Sequence, residues 1–196
     1  MGVRVKRLVH DEQFIHYQTK VDQHIGVRFD LSYLKGGHVY ALYLNGEMIG
    51  GYAVILDGPF RVLTSIERKV DLSAIDMRKT AEVTGLWLDK RKAKNYSLVL
   101  WVHMLFGLLR SRRSQFVFAY TLQKTGLEKL YSPMNTEVLY RGLVEALEGM
   151  KGDDYESIEL MRVSDLVKFP FKNPSFVTRR VKAALNFRLK PAPVGR

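Results

Sequence analysis

The chain has 196 residues, is 46% hydrophobic and 11% aromatic, and carries a formal net charge of +11, the size and composition of one compact domain with a sizeable core. It has no cysteine, which excludes disulfides, a thiolate nucleophile and a zinc site built on thiolates. No basic stretch followed by an apolar run opens the chain, and the apolar run 98–109 contains His103 and is too short to span a bilayer, so a cytoplasmic, bacterial-type protein is expected.

Val3 to Leu8 alternates apolar and basic residues, the period of a short strand. Asp11 and Glu12 suit the first turn of a helix, which Phe14, Ile15, Tyr17, Val21 and Ile25 continue at roughly helical spacing. Two β-rich runs, 38–44 and 47–56, flank Asn45-Gly46. That dipeptide favours a two-residue hairpin, because both central positions need positive φ. Asp57-Gly58-Pro59 turns the chain, and the polar residues 60–80 read as one short strand and a loop. A strand over 81–88, a helix over 97–113 and a strand over 115–120 make a crossover unit with parallel strands. A short helix over 123–132 and strands over 136–140 and 157–162 follow. The fold class is α/β, an α+β mixed sheet, antiparallel in its first half, with helices packed on it.

Residues 1–163 form the expected domain and residues 164–196 a basic extension. Asn173-Pro174-Ser175 opens a short helix there, with Val177, Val181, Ala184 and Leu185 on one face and Pro191 and Pro193 beyond it. The extension reads as a docked tail helix or as a basic amphipathic surface for a membrane or partner.

The basicity is local. Residues 90–113 hold seven Lys or Arg and residues 168–196 hold eight, with no Asp or Glu in either segment. Lys90, Arg91, Lys92 and Lys94 crowd the joint between strand 81–88 and the next helix. A loop that leaves a parallel strand and opens a helix aims free backbone N–H groups and the positive helix end at one spot, a natural anion site. The alternative is a solvated basic loop. Neither Gly-x-x-x-x-Gly-Lys-Ser/Thr nor Gly-x-Gly-x-x-Gly occurs, and no Gly-x-Ser-x-Gly elbow arms a serine. The five histidines lack metal-ligand spacing, so no metal is expected, and His103 reads as a hydrogen-bonded core residue.

The order of these elements, with "GEMIGGYAVI", "AEVTGLWL", the basic loop, "FVFAYT" and "GLEKLYSPM", resembles the acyl-CoA N-acyltransferase (GNAT) superfamily over roughly residues 3–162. The resemblance implies parallel strands splayed at the centre of the sheet, an acyl donor between them, and helices on both faces. It places Leu86, Trp87 and Leu88 on the strand that binds the pantetheine arm. Arg91, Lys92, Lys94, Asn95, Tyr96 and Ser97 fall on the phosphate loop and helix start. Lys94 and Tyr96 stand where the family carries two small residues, leaving more of the phosphate to basic side chains. Tyr131 matches the acid that protonates the departing thiolate, with Tyr120 as an alternative hydroxyl, and Glu82 is the base candidate for the amine. The co-substrate implied is acyl-CoA or the phosphopantetheine of an acyl-carrier protein, whose acidic surface suits the basic stretches 90–94 and 110–113. The acyl-homoserine-lactone and long-chain N-acyl amino acid synthases are the similar branch. The alternatives are a nucleic-acid-binding basic domain, less expected because no reader motif is visible, and a decayed GNAT scaffold that binds a partner or membrane.

Overall fold

The computed structural model describes residues 2–93, 96–131, 134, 136–175, 177, 178, 181 and 182. Seven strands form one sheet in the order β1-β2-β3-β4-β5-β7-β6. They are β1 (Val3–Arg7), β2 (Gly37–Leu44), β3 (Glu47–Ile55), β4 (Thr80–Leu88), β5 (Gln115–Thr121), β6 (Glu137–Val144) and β7 (Asp154–Arg162). The pairs β1–β2, β2–β3 and β3–β4 are antiparallel, β4–β5 is parallel, and β5–β7 and β6–β7 are antiparallel. The β2–β3 turn holds Asn45 at φ 52° and Gly46 at φ 89°, the positive pair that a two-residue hairpin requires.

One face of the sheet carries α1 (Asp11–Ile25), α2 (Leu31–Lys35) and α3 (Arg61–Thr64). Phe14, Tyr17 and Val21 form the buried stripe of α1, and Gly26 ends it in a left-handed conformation. The other face carries α4 (Ser97–Arg110), α5 (Thr125–Tyr131) and α6 (Val163–Lys172). Leu100, Met104 and Leu108 are the buried stripe of α4, four residues apart as one helix face demands. Two main cores result, with Tyr17, Trp87 and Val117 on the first face and Tyr52, Phe116 and Phe118 on the second, and a smaller cluster gathers Ile66, Val144 and Ile158.

The structure differs from the sequence reading in five places. Residues 60–80 hold α3 and a 3-10 turn at Met77–Lys79 rather than a strand. The helix expected over 97–113 stops at Arg110, because the chain turns through Ser111 to enter β5. The strands expected over 136–140 and 157–162 run longer, since they pair with each other from Glu137↔Leu160 to Val144↔Asp154. Helix α2 was not expected. Nor was α6, which packs Val163 and Leu166 onto the second core and carries Pro170 inside. Of the tail-helix residues, Val177 and Val181 are helical, and Ala184, Leu185, Pro191 and Pro193 lie outside the described residues. No helix among the described residues is long and apolar enough to cross a membrane.

Candidate active site

The parallel pair at the centre of the sheet opens. β4 and β5 are paired only at Thr80↔Gln115, Ala81↔Phe116 and Glu82↔Val117. Beyond that, β4 follows β3 to Leu88, while β5 follows β7 to Thr121. The two strands therefore diverge after Glu82 and leave a wedge-shaped gap with Glu82 at its apex.

Local sequence fixes the edge of this gap. Opposite Tyr52, β4 carries an extra residue, a bulge at Gly85 with φ 60°. Tyr17, fully buried, donates its hydroxyl to the Gly85 carbonyl at 2.6 Å. A Cβ at Gly85 would stand 2.7 Å from that hydroxyl, and one at Gly51 would stand 2.7 Å from the Tyr17 ring. The glycines thus let one tyrosine lie flat across β3 and β4 and hold the bulge in place.

No protein-family model matches the sequence, and no curated protein matches it in sequence. Solved structures do match. FeeM, an N-acyl amino acid synthase from uncultured soil microbes, superposes with a TM-score of 0.62 at 15% identity, over 84% of this chain and 93% of that one. A GNAT family acetyltransferase from Elizabethkingia anophelis with acetyl-CoA bound gives 0.54 at 13% identity, over 82% and 97%. An IAA acetyltransferase from Bacillus cereus gives 0.54 at 13% identity, over 82% and 99%. The chain has the GNAT N-acyltransferase fold.

In this GNAT fold the side chains at the wedge divide between the two sheet faces. Glu82 lies on the α1–α3 face and is wholly buried. Its Oε2 accepts only a long 3.4 Å bond from the Val62 amide, and its Oε1 has no hydrogen-bond partner. Burial pushes its carboxyl up to about 7, against the pull of Tyr33, the Val62 amide and Arg61, all of which favour the ionised form. The Tyr33 hydroxyl is equally buried and lacks a well-formed hydrogen bond. Burial first, and then the neighbouring Glu82, pushes it far above the ordinary tyrosine range. Arg61, at the start of α3, lies over the rings of Phe29 and Tyr33 at 5.3 and 5.9 Å and donates to the Glu148 carbonyl at 2.8 Å. Glu156 of β7 is also raised to about 7, by burial and then by Asp154, with Arg61 opposing.

The α4–α6 face carries an aromatic cluster. Tyr131 stacks on Tyr120 at 4.9 Å, lies tilted on Phe118 at 5.2 Å and meets Trp101 edge-on at 6.4 Å. Burial raises the Tyr131 hydroxyl above its ordinary range, and Tyr120 and Glu159 add to the rise. Tyr120, the alternative hydroxyl, is buried and donates to buried Glu159 at 2.7 Å. Glu159 also takes bonds from Ser157 at 2.8 Å and from Thr136.

Other sequence candidates are placed as follows. Leu86 and Leu88 pack toward the second core, while Trp87 turns to the α1 face and stacks on His24 at 4.6 Å. Its indole Nε1 is buried without a partner. The basic joint is less free than its composition suggests. Asp89 accepts the Arg91 amide at 2.9 Å and the Lys92 amide at 3.3 Å, and the Lys92 ammonium pairs with Glu47. Lys90 and Arg91 remain exposed. Lys94 and Asn95 lie outside the described residues. Tyr96 sits at the N-cap position of α4 without a side-chain capping bond, and no acceptor for the Ser97 or Leu98 amide is found among the described residues. The stretch 110–113 lies at the far end of α4, 14 residues or about 21 Å from the joint. There Arg113 is turned inward to the carbonyls of Leu56 and Arg78 and to Asp57. His103 is hydrogen-bonded, its Nδ1 lying 2.8 Å from the Tyr52 hydroxyl. No group of three or more His, Asp or Glu side chains among the described residues is arranged to hold a metal ion.

Sequence reasoning missed Tyr33, Arg61, Glu156 and Glu159. Glu156 and Glu159 carried a usable signal, because an odd spacing along a strand sends two acids to opposite faces. Tyr33 and Arg61 sit on helices too short to show a period.

Proposed function

We propose that the chain is an N-acyltransferase that moves an acyl group from a phosphopantetheine thioester to an amine, with Glu82 as base and Tyr131 as acid. The observation that carries this reading is the buried carboxyl of Glu82, half unsatisfied and raised to about 7, at the apex of an opened parallel strand pair. A strongly perturbed acid at a cleft is costly to stability and suited to proton transfer near neutral pH.

The chemistry follows from the two faces. The thioester carbonyl lies in the gap, where β4 backbone groups left unpaired by the divergence hold the donor arm. The amine approaches from the α1–α3 face. Its nitrogen bonds to the carbonyl carbon, and its proton passes to Glu82, directly or through one water. The C–S bond then breaks toward the α4 face, and the thiolate takes the Tyr131 proton. Base and acid on opposite faces keep nucleophile and leaving group apart.

Arg91, Lys90 and the Ser97 helix start supply the phosphate seat. Likeness to FeeM supports an amino acid as acceptor and the N-acyl amino acid synthases as the similar branch. The acetyl-CoA-bound neighbour supports CoA as one donor, and the exposed cations at the joint suit an acidic carrier protein equally. Thiol release from acyl-CoA of graded chain length and from acyl-carrier protein, with and without amino acids, tests this. Release that requires an amine and falls with Glu82→Gln is expected. The absence of amine-dependent release with every donor would overturn it.

A further inference from the structure

The same helix that opens at the basic joint leaves an apolar stripe in solvent. On α4, Val99, Val102, Phe106 and Leu109 are 41%, 42%, 59% and 39% exposed, and their spacing of three or four residues puts them in one line. Their face points away from the buried Leu100, Met104 and Leu108. Helix α6 packs on the same side of the sheet, and the Val163 amide at its start donates to Ser114, just past the end of α4, at 3.0 Å. It too exposes apolar groups, Val167 at 49% and Phe171 at 82%.

Cations rim these stripes. Arg110, Arg112, Lys168 and Lys172 are exposed, and none is in an ion pair among the described residues. From Ser97 to Ser114 there is no acid, and α6 contributes one, Asp165. Beside the stripe is a cleft of about 390 Å³ lined by Tyr40, His103, Phe106, Gly107 and Arg110. It offers a guanidinium, an imidazole and a phenol next to an apolar wall.

We infer that the α4–α6 face docks the protein on an anionic lipid bilayer, with a phosphate headgroup seated in the Tyr40–His103–Arg110 cleft. Large side chains that protrude from two helices need no matching pockets in a bilayer, where they enter the boundary between headgroups and acyl chains. A protein partner must supply such pockets. The Lys and Arg rim meets the negative surface, and the near absence of acids on the two helices removes the repulsion that soluble helices usually carry. The surface stands whether or not the β4–β5 gap carries acyl transfer.

Co-sedimentation of the full chain with phosphatidylcholine vesicles, with and without phosphatidylglycerol, tests it, with Trp101 fluorescence as a second readout. Binding is expected only to the anionic vesicles and is expected to weaken with salt. Phe106→Ser with Phe171→Ser should lower it at least about tenfold, and Arg110→Ala or Lys168→Ala roughly fivefold each. Thermal unfolding should stay unchanged because all four side chains are exposed. Three results would overturn it: no sedimentation, equal binding to neutral vesicles, or anionic binding that survives the double Phe substitution. Capture of an acidic carrier protein that the same Phe pair abolishes, with no vesicle binding, would overturn it in favour of a protein partner.

Discussion

Replacing Glu82 with Gln should make the protein more stable and less active, and the stability gain should appear only as pH rises. The carboxyl is wholly buried and raised from 4.5 to about 7. The folded chain therefore holds this proton more tightly than the unfolded chain. The residue's contribution to stability is intact below about pH 4.5, falls as pH rises, and levels off above about pH 7. The interval from 4.5 to about 7 corresponds to about 3 kcal/mol. Glutamine keeps the shape and carries no charge, so Glu82→Gln should match the wild type near pH 4.5 and exceed it by about 3 kcal/mol at pH 8. For a chain of this size that is about 6–12 °C in Tm. Glu156, also raised to about 7, remains in the variant, so part of the wild-type pH slope persists. Thermal and urea unfolding at the two pH values give the difference, and amine-dependent thiol release should fall about 10²–10⁴-fold. A stability difference independent of pH would refute the buried-charge argument, and unchanged thiol release would refute the base.

Wild-type thiol release should rise with pH on a limb near 7 as Glu82 ionises, and Glu82→Gln should flatten that limb; a limb unchanged in the variant assigns it elsewhere. Tyr131→Phe keeps the aromatic stack and removes the proton donor, so kcat should fall at least about tenfold while Tm changes little; full activity would remove Tyr131 from the chemistry. Gly85→Ala forces a left-handed φ on a residue with a Cβ, about 1–2 kcal/mol, before the contact with the Tyr17 hydroxyl is counted, and urea unfolding checks it. Lys92→Ala removes an exposed pair with Glu47 and should cost under about 1 kcal/mol, whereas Arg91→Ala should raise KM for acyl-CoA. Equal KM effects from both would contradict the separation of the paired from the unpaired cation.

The elements legible in the sequence were those with strong local grammar. Asn45-Gly46 needs positive φ twice, and the apolar runs 81–88, 98–109 and 115–120 had the lengths and spacing of a crossover unit. Short α2 and α3 show no period and are held by packing on the sheet. Helix α6 carries Pro170 in its interior, where a proline argues against a helix in sequence, and packs Val163 and Leu166 onto the second core. At the site, Glu82 was visible as an acid on an apolar strand. Its neighbours Tyr33, Val62 and Arg61 come from distant segments that only the tertiary fold brings together. Composition overstated the free charge of the acid-free segment 90–113, since Lys92 at the joint spends its charge on Glu47 and Arg113, past the far end of α4, turns to inward carbonyls.

The most direct test of the acyl-transfer account is a crystal structure with a non-hydrolysable thioether analogue of a long-chain acyl-CoA. The account expects density for its pantetheine arm between Val83–Leu88 and Phe118–Thr121, with the carbonyl-equivalent atom beside the gap's apex at Glu82. An analogue seated anywhere else, with those two strand edges bridged by the protein's own side chains, would contradict it.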